Sequence, residues 1–400
     1  MVEFEDLRRA RERLGDAIYR SPCARSETLS RRLDCELYLK LENLQMTGSF
    51  KERGVLNKLA SLGSAERARG VIAASAGNHG QALAFAARRQ GVAATIVMPR
   101  SAPLIKVTST RAHGAEVVLF GDDFDEAAAH AQQLAAERKL LPIAPFDDDE
   151  VIAGQGTIGL ELLEQLPELD AVVVSVGGGG LAAGVSLAVK TLRPQARVYG
   201  VEPRVLPSLS RALRAGVPTA VEQAQTLADG IAVRRVGQRP LPLLQRHLDA
   251  VVEVDEEEIA AAILALLEDE KTVAEGAGAA PLAALMQGAL QLSGKRVVLV
   301  VSGGNIDVNV LSRIIDRGLL KSGRMMRTRV LIPDRPGSLA ALLGVVAGAG
   351  ANVLQVQHDR LGARTEPGLT SVELVLETRG YEHIAGIERA IDEAGWLLAD

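Results

Sequence analysis

Short apolar segments alternate with longer amphipathic ones between about residues 36 and 315. The short segments are rich in Val and Ile and lack polar alternation, which is typical of strands that are buried on both faces of a parallel sheet. The predicted strands are Leu37–Leu41, Val71–Ala74, Ala94–Met98, Val117–Phe120, Val172–Val176, Arg197–Val201, Val251–Val254 and Val297–Val301. Helical patterns between them include Phe50–Leu59, Gln81–Arg89, Pro103–His113, Phe124–Arg138 and Glu256–Glu268. The alternation predicts an α/β fold with ligands at the carboxyl ends of the strands.

The pattern changes near residue 320. The segment Leu319–Arg327 is interpreted as a linker or the entry to a strand. The elements predicted after it are strand Thr328–Ile332, helix Leu339–Ala349, strand Asn352–His358, strand Ser371–Glu377, helix Ile384–Ala394 and a tail Trp396–Leu398. The order βαββαβ is that of a ferredoxin-like α+β domain. We therefore predict two domains, residues 1–320 and 327–400.

Composition and charge narrow the class of protein. With 47% hydrophobic residues the chain can bury large cores, and its net charge of −5 argues against a nucleic-acid partner. The longest apolar runs are of strand length, so no membrane span is expected. Cys23 and Cys35 form no metal-binding motif, and the acidic N-terminus does not resemble a signal peptide. These features predict a cytoplasmic protein.

The segment Thr47–Gly54 places Lys51 between a glycine-bearing turn and a helical pattern. A lysine at the edge of a cleft loses its charge more easily, and its amine then attacks carbonyls, including the aldehyde of pyridoxal phosphate. Most lysines are solvated surface charges, so this segment alone decides little. The functional interpretation is favoured by three glycine-rich loops further along the chain.

Each of these loops follows a predicted strand: Ser75–Gly80, Gly177–Leu181 and Ser302–Asn305. Four consecutive glycines, Gly177, Gly178, Gly179 and Gly180, can present several backbone N–H groups to one anion, and a helix predicted from Leu181 adds its positive dipole end. The alternative is a glycine-rich packing turn. The motif lacks the Gly-Lys-Ser or Gly-Lys-Thr of a Walker loop and the spacing of a dinucleotide fingerprint.

The loop Ser75–Gly80 is a candidate carboxylate site, formed by Ser75, Ala76, Gly77, Asn78 and His79. The Asn78 amide could meet a phenolic oxygen of a cofactor, although Asn is also a common turn residue. His79 could act as an acid or base, but a structural role is the more common one for a His beside a helix start.

Together the segments Thr47–Gly54, Ser75–Gln81, Gly177–Leu181 and Ser302–Asn305, in this order, resemble the fold-type-II pyridoxal-phosphate enzymes. Within that group the chain resembles the threonine dehydratases, also called threonine ammonia-lyases, over about residues 4–320. The resemblance implies two parallel-sheet α/β subdomains, of which residues 47–150 form the smaller and mobile one. The tail from about Arg327 resembles an ACT regulatory domain, and one such domain is the pattern of the medium-length form.

The resemblance also implies roles for individual residues in holding pyridoxal 5'-phosphate. Lys51 would be the Schiff-base lysine and the catalytic base, with Phe50 packed against the cofactor. Asn78 would bind the ring hydroxyl, and Ser302 the pyridine nitrogen. The phosphate would be bound by Gly177, Gly178, Gly179, Gly180 and Leu181. A serine hydroxyl cannot keep the ring nitrogen protonated as an aspartate would, which favours elimination over transamination.

The implied reaction is the dehydration and deamination of L-threonine to 2-oxobutyrate and ammonia, with L-serine a secondary substrate and a role in isoleucine biosynthesis. The alternatives are threonine synthase, a hydroxyaspartate or serine dehydratase, and a non-catalytic amino-acid sensor. Serine racemases of the group carry a serine where this chain has Ala76, so racemisation is disfavoured.

Less specific expectations concern ions, effectors and assembly. No metal is expected, although a monovalent cation could lie near Glu202. Glu275 could lie near the cofactor or could be satisfied by the dipole of the helix that it begins. A branched-chain amino acid, isoleucine above all, is expected between paired C-terminal domains of a homodimer or homotetramer. Its predicted contacts are Gly337, Ser338, Leu339 and Asn352.

Overall fold

A computed structural model of the chain describes residues 1–360 and 368–399 and divides into two compact units, Met1–Ile306 and Asp307–Asp400. The first unit contains helices and strands in close alternation. Its helices are α1 Phe4–Leu14, α2 Glu27–Leu33, α3 Lys51–Ser61, α4 Ser64–Arg69, α5 Asn78–Gln90, α6 Leu104–Ala112, α7 Phe124–Arg138, α8 Asp149–Gln165, α9 Gly180–Leu192, α10 Ser208–Ala215, α11 Pro240–His247, α12 Glu256–Glu270 and α13 Gly276–Met286. Its strands are β1 Cys23–Arg25, β2 Glu36–Leu41, β3 Val71–Ala74, β4 Ala94–Met98, β5 Glu116–Leu119, β6 Leu141–Pro142, β7 Ala171–Ser175, β8 Arg197–Pro203, β9 Ala250–Val254 and β10 Arg296–Val301.

These strands form two sheets. One has the order β1-β2-β10-β7-β8-β9 and is parallel except for β1, and the other is parallel with the order β5-β4-β3-β6. All the strands predicted from the apolar runs of this unit are confirmed, with ends shifted by at most two residues. The hydrophobic pattern did not reveal β1 and β6, because these strands have only three and two residues.

Glycines allow α3, α8 and α9 to pack backbone against backbone. A Cβ atom at Gly154 would lie 2.6 Å from the Cα of Gly54, and one at Gly184 would lie 2.5 Å from the carbonyl oxygen of Ile152. A Cβ at Gly159 would lie 2.6 Å from that of Ala188. Because real Cβ atoms do not approach so closely, this packing depends on glycine. Helix α8 thus holds both α9 and the helix that carries Lys51.

A buried ion network anchors α3 further. Arg53, which is fully buried, donates to Glu42 through Nε at 2.8 Å and to Glu161 through Nη1 at 2.6 Å. Lys40 Nζ, also fully buried, donates to Glu161 at 2.6 Å. Buried charges are tolerated when they are paired and hydrogen-bonded in this way. The network therefore fixes the helix two residues beyond Lys51.

The second unit contains α14 Val308–Lys321, β11 Met325–Pro333, α15 Ser338–Gly348, β12 Asn352–Asp359, β13 Leu369–Glu377, α16 Tyr381–Glu393 and β14 Leu397–Ala399. Its antiparallel sheet has the order β12-β13-β11-β14, and the order βαββαβ after α14 matches the prediction. Val330, Leu342, Leu374 and Ile387 are fully buried in its core. Residues 361–367 and 400 of the predicted domain 327–400 lie outside the described residues.

The segment Leu319–Arg327 is not a linker over its whole length. Helix α14 extends to Lys321 and strand β11 begins at Met325, so the segment is mostly helix and strand. Along the chain, the boundary between the two compact units falls between residues 306 and 307. Helix α14 belongs to the second unit because it packs on β11. No described helix is long and apolar enough to cross a membrane.

Candidate active site

A cavity of about 540 Å³ lies in the first unit where β3, β7 and β10 end. The four predicted segments meet there, because parallel strands direct the loops at their carboxyl ends to the same edge of a sheet. The predicted residues that line the cavity are Phe50, Lys51, Ser75, Ala76, Gly77, Asn78, His79, Gly177, Gly178, Gly179, Gly180, Leu181 and Ser302.

Lys51 is the first residue of α3, and its amine lies inside the cavity wall. Nζ donates to the carbonyl oxygen of Pro145 at 2.9 Å and lies 5.1 Å from the centroid of the Phe50 ring. Burial lowers the pKa of Lys51 to about 8, and the nearby Glu275 carboxylate opposes that shift. The amine is therefore much easier to deprotonate than an exposed lysine, as a nucleophile for a carbonyl requires.

The tetraglycine loop forms a close-packed turn before α9. Gly179 has a φ of +94° and caps the helix, which begins at Gly180, one residue before the predicted start. A Cβ at Gly178 would lie 2.2 Å from the Phe146 ring, and one at Gly177 would lie 2.9 Å from the Cα of Ile231. The glycines thus satisfy a packing requirement, and their backbone lines the cavity at a helix N-terminus, where an anion is stabilised.

The candidate carboxylate site, Ser75 to His79, lies at the start of another helix. The start predicted from the sequence was too far along the chain. Helix α5 begins at Asn78 with Gly77 as its cap, three residues before the predicted Gln81. His79 Nε2 lies 2.9 Å from the carbonyl oxygen of Ile143. Burial and the nearby Lys51 lower the pKa of His79 to about 4, so its ring is neutral at pH 7. A neutral, buried ring bound to a backbone carbonyl supports the structural interpretation of His79.

Asn78 belongs to a hydrogen-bonded group that the sequence did not reveal. Its Nδ2 donates to Glu275 Oε1 at 2.7 Å, and its Oδ1 accepts from Asn305 Nδ2 at 2.8 Å. Asn305 Nδ2 also donates to the carbonyl oxygen of Thr47 at 2.7 Å. Burial raises the pKa of Glu275 to about 7, and repulsion from Asp229 adds to the shift. Glu275 lines the cavity and makes no side-chain capping bond to α13, which favours the first of its two predicted roles.

Ser302 follows β10 directly and is almost fully buried at the cavity. Its carbonyl oxygen accepts from the backbone N–H of Phe50 at 3.0 Å, which connects the end of β10 to the start of α3. Ser302 brings a hydroxyl to the cavity wall, whereas Ala76, in the loop Ser75–Gly80, brings a methyl group.

Two groups of predicted residues lie elsewhere. The Glu202 carboxylate is buried and accepts from the backbone N–H groups of Leu209 at 2.8 Å and Ser210 at 2.9 Å. This helix start already satisfies the charge, and the described residues contain no cluster of three or more His, Cys, Asp or Glu able to hold a metal. The cation near Glu202 stays a prediction.

The predicted effector residues lie in the second unit. Gly337 has a φ of +94° and caps α15, so Ser338 and Leu339 form its first turn. Asn352, an exposed residue at the start of β12, donates from Nδ2 to Glu377 Oε2 at 3.2 Å. A role in effector binding stays a prediction.

The family model described as "Pyridoxal-phosphate dependent enzyme" matches residues 14–303. The L-threonine ammonia-lyase of Thermotoga maritima is 50% identical over 99% of this chain and 98% of its own length. The corresponding protein of Geobacter sulfurreducens is 46% identical over 100% of this chain and 99% of its own. The solved structure of the processed form of threonine deaminase isoform 2 from Solanum lycopersicum superposes with a TM-score of 0.74 and 37% identity, covering 78% of this chain and 94% of that one.

The residues at the cavity fit this cofactor. The Lys51 amine, whose pKa is lowered, would hold the aldehyde end of pyridoxal phosphate, the glycine-rich start of α9 would hold its phosphate, and Asn78 and Ser302 would hold the polar atoms of its ring. Both the match over residues 14–303 and the chemistry of these groups lead to the same conclusion. This chain belongs to the family of pyridoxal-phosphate dependent enzymes.

Proposed function

We propose that this chain converts L-threonine to 2-oxobutyrate and ammonia by β-elimination, with L-serine as a secondary substrate. The observation that carries the proposal is the meeting of the Lys51 amine, two helix starts suited to anions and the Ser302 hydroxyl in one cavity. The two relatives described above, both L-threonine ammonia-lyases and both matched over nearly their whole length, support it.

Lys51 is the group proposed to move the proton. The bound cofactor withdraws electrons from the Cα of the substrate amino acid and so makes its Cα–H bond acidic. Because burial lowers the pKa of Lys51 to about 8, its amine is deprotonated more easily than that of an exposed lysine, and we propose that it accepts this proton as a base. The electron pair of the Cα–H bond then expels the β-hydroxyl, which leaves as water after gaining a proton. Hydrolysis of the released unsaturated amine consumes one water and gives the 2-oxo acid and ammonia.

The start of α5 is proposed to bind the substrate carboxylate. The backbone N–H groups of Asn78 and His79 lie in the first turn of this helix, where a negative charge is stabilised, whereas that of Ser75 donates to the Val97 carbonyl and that of Gly77 to Ser75 Oγ. A carboxylate fixed there holds the Cα–H bond in the orientation for proton transfer.

The charges beside the cavity favour a monocarboxylic substrate. Arg234, which lines the cavity, pairs with Asp125 at 3.4 Å, and Lys106 pairs with Asp229 at 2.9 Å. Each cation is therefore neutralised by an acid. A second carboxylate, as in hydroxyaspartate, would compete with these acids for the two cations, and this favours threonine and serine.

An ammonia-release assay on the purified enzyme with pyridoxal phosphate tests this function. We expect the highest kcat/KM with L-threonine, a lower value with L-serine and the lowest with hydroxyaspartate. If ammonia is released from hydroxyaspartate and from neither of the other two, the substrate is hydroxyaspartate and the proposal of threonine is wrong. No release from any of the three, with the cofactor bound, would favour the amino-acid sensor.

We further propose that the second unit is an ACT domain that binds isoleucine between paired copies in a cytoplasmic homo-oligomer. The antiparallel β12-β13-β11-β14 sheet and the glycine-capped start of α15 at Gly337 support this proposal. The free thiols of Cys23 and Cys35 fit a reducing compartment. An effector must bind one of two enzyme states more tightly than the other.

Calorimetry with isoleucine and with valine on the full-length enzyme tests the effector. We expect binding of isoleucine and a change in the threonine saturation curve, both weakened by Asn352→Ala. Hyperbolic kinetics together with no heat of binding for either amino acid would show that the second unit does not bind such effectors.

A further inference from the structure

Three side chains and one backbone carbonyl connect four segments around the cavity. Thr47 precedes α3, Asn78 begins α5, Asn305 follows the end of β10, and Glu275 immediately precedes α13. The hydrogen bonds run from Asn305 to the Thr47 carbonyl, from Asn305 to Asn78 and from Asn78 to Glu275, at 2.7, 2.8 and 2.7 Å. We name Asn305, Asn78 and Glu275 the amide relay.

The fixed end of the amide relay determines the orientation of each amide. The Thr47 carbonyl can only accept, so the NH2 group of Asn305 must face it. The second hydrogen of that NH2 group is then directed to Asn78, which must present its Oδ1 in return. Consequently the NH2 group of Asn78 lies on its other side, where one hydrogen goes to Glu275 and the second is available to the cavity that Asn78 lines.

The Glu275 carboxylate needs a hydrogen-bond donor such as Asn78, because it is almost fully buried. Charged groups from several elements face it. Asp229 raises the pKa of Glu275 and Lys106 lowers it, and the charge of Glu275 raises the pKa of Lys51. The space around the carboxylate is also tight, because a Cβ at Gly303 would lie 2.4 Å from Glu275 Oε1. Gly303, which carries no side chain, thus leaves the space that the Glu275 carboxylate occupies next to Asn78.

We propose that Asn305 and Glu275 are positioning residues, which hold the Asn78 amide so that it offers a hydrogen-bond donor, and never an acceptor, to the cavity. The ligand group that suits such a donor is an anionic oxygen, as on the ring of the cofactor. The inference rests on the proposed function only in taking this cavity as the cofactor site. It concerns which end of the Asn78 amide faces the cofactor, and not the amino acid that reacts.

The first test replaces the NH2 group of Asn305 by an oxygen. In Asn305→Asp the new carboxylate would face the Thr47 carbonyl, and Asn78 would have to turn its NH2 group toward it. Its Oδ1 would then face both Glu275 and the cavity. We expect the apo-protein to bind pyridoxal phosphate at least tenfold more weakly, measured by titration of visible absorbance without substrate.

The matched control is Asn43→Asp. The Asn43 amide donates to Val273 and Thr272 beside the same loop, at 3.0 and 3.1 Å, but contacts no member of the amide relay. We expect this variant to bind the cofactor within about threefold of the wild type. Unchanged affinity in Asn305→Asp, or an equal loss in both variants, would overturn the proposal.

The second test separates the hydrogen bond of Glu275 from its charge. Glu275→Gln keeps an oxygen that can accept from Asn78, whereas Glu275→Ala removes it. We expect the Gln variant to bind pyridoxal phosphate within about threefold of the wild type and the Ala variant at least tenfold more weakly. Equal affinities in the two variants contradict the amide relay.

These titrations use apo-protein and cofactor alone, so they are independent of the reaction. Normal ammonia release by the wild type together with unchanged affinity in Asn305→Asp would reject the amide relay and leave the proposed function intact. A wild type that binds the cofactor but releases no ammonia would reject the function and leave the amide relay to be judged by the variants.

Discussion

Two helices of this protein begin in the same local conformation and in very different surroundings. Helix α9 follows Gly179 and helix α15 follows Gly337, and both glycines have a φ of +94°. In both cases the left-handed conformation explains why the position is glycine. The backbone of each therefore presents the N–H groups of a first helical turn.

The difference lies in what surrounds each turn. A Cβ at Gly179 would lie 2.9 Å from side-chain atoms of Leu244 and Pro240, and Phe146 presses on the neighbouring Gly178. A Cβ at Gly337 would meet no described atom within 4 Å. The α9 start is thus a preformed site enclosed by its own chain, whereas the α15 start is open. We therefore expect the α9 start to bind an anion within one chain, and the α15 start to bind a ligand only when a second copy of the domain covers it.

Lys51→Ala tests whether the enclosed site is a reaction site at all. We expect ammonia release from threonine to fall by more than roughly 10⁴-fold, because the variant loses both the nucleophile and the base. The visible absorbance of the bound cofactor should change as well. Lys58→Ala, on the same helix, is the control. It should remain active, because Lys58 does not line the cavity and instead pairs with Asp148, with 2.6 Å between Nζ and Oδ2. Substantial turnover in Lys51→Ala would refute the assignment.

Gly178→Ala tests the enclosure directly. The new methyl group would overlap the Phe146 ring, so the loop must move, and cofactor affinity should fall by about 5- to 150-fold, as the 1–3 kcal/mol typical of overpacking implies. Titration of the apo-protein with pyridoxal phosphate measures this loss. Gly337→Ala, at the open helix start, should leave the affinity unchanged. Equal affinities in the two variants would remove the contrast between the two sites.

The pH dependence of cofactor capture tests the electrostatics of the enclosed site. Burial lowers the pKa of Lys51 to about 8, so the reactive neutral amine increases as pH rises and approaches its full amount above that value. The rate of cofactor capture by apo-protein should therefore rise roughly tenfold between pH 7 and 9. Stopped-flow absorbance follows this reaction. A rate that continues to rise through pH 10 would show a lysine of ordinary pKa.

The smallest effect is expected at the open helix start and concerns stability alone. Gly337→Ala forces a side chain into a left-handed conformation and should lower the free energy of unfolding by about 1–2 kcal/mol. Gly344→Ala, inside the same helix α15 and with open space around its Cβ, should raise it by up to about 1 kcal/mol. Urea denaturation measures both changes in the free energy of unfolding, from the transition that belongs to the second unit. A destabilising Gly344→Ala would show that the surface of α15 is covered by another molecule.

The sequence by itself determined the strands, the order of the loops and the cofactor class. Buried parallel strands are continuous runs of Val and Ile, so Val71–Ala74 and Ala94–Met98 could be predicted to the residue. Lys51, the tetraglycine loop and Ser302 were identified because short segments around them resemble one enzyme family, and the structure places all of them at one cavity. Their individual roles stay predictions. Helix starts were less predictable, because the residues around Gly77 suit a turn and a helix equally well.

Only the tertiary structure decided which distant side chains meet. Asn78 lies 197 residues from Glu275 and 227 from Asn305, and the order of the strands in the two sheets brings the three together. The same holds for Glu202, whose carboxylate a later helix start satisfies. A local pattern records the conformation of its own segment. A contact between segments depends on how the sheets and helices pack, which no single stretch of the chain encodes.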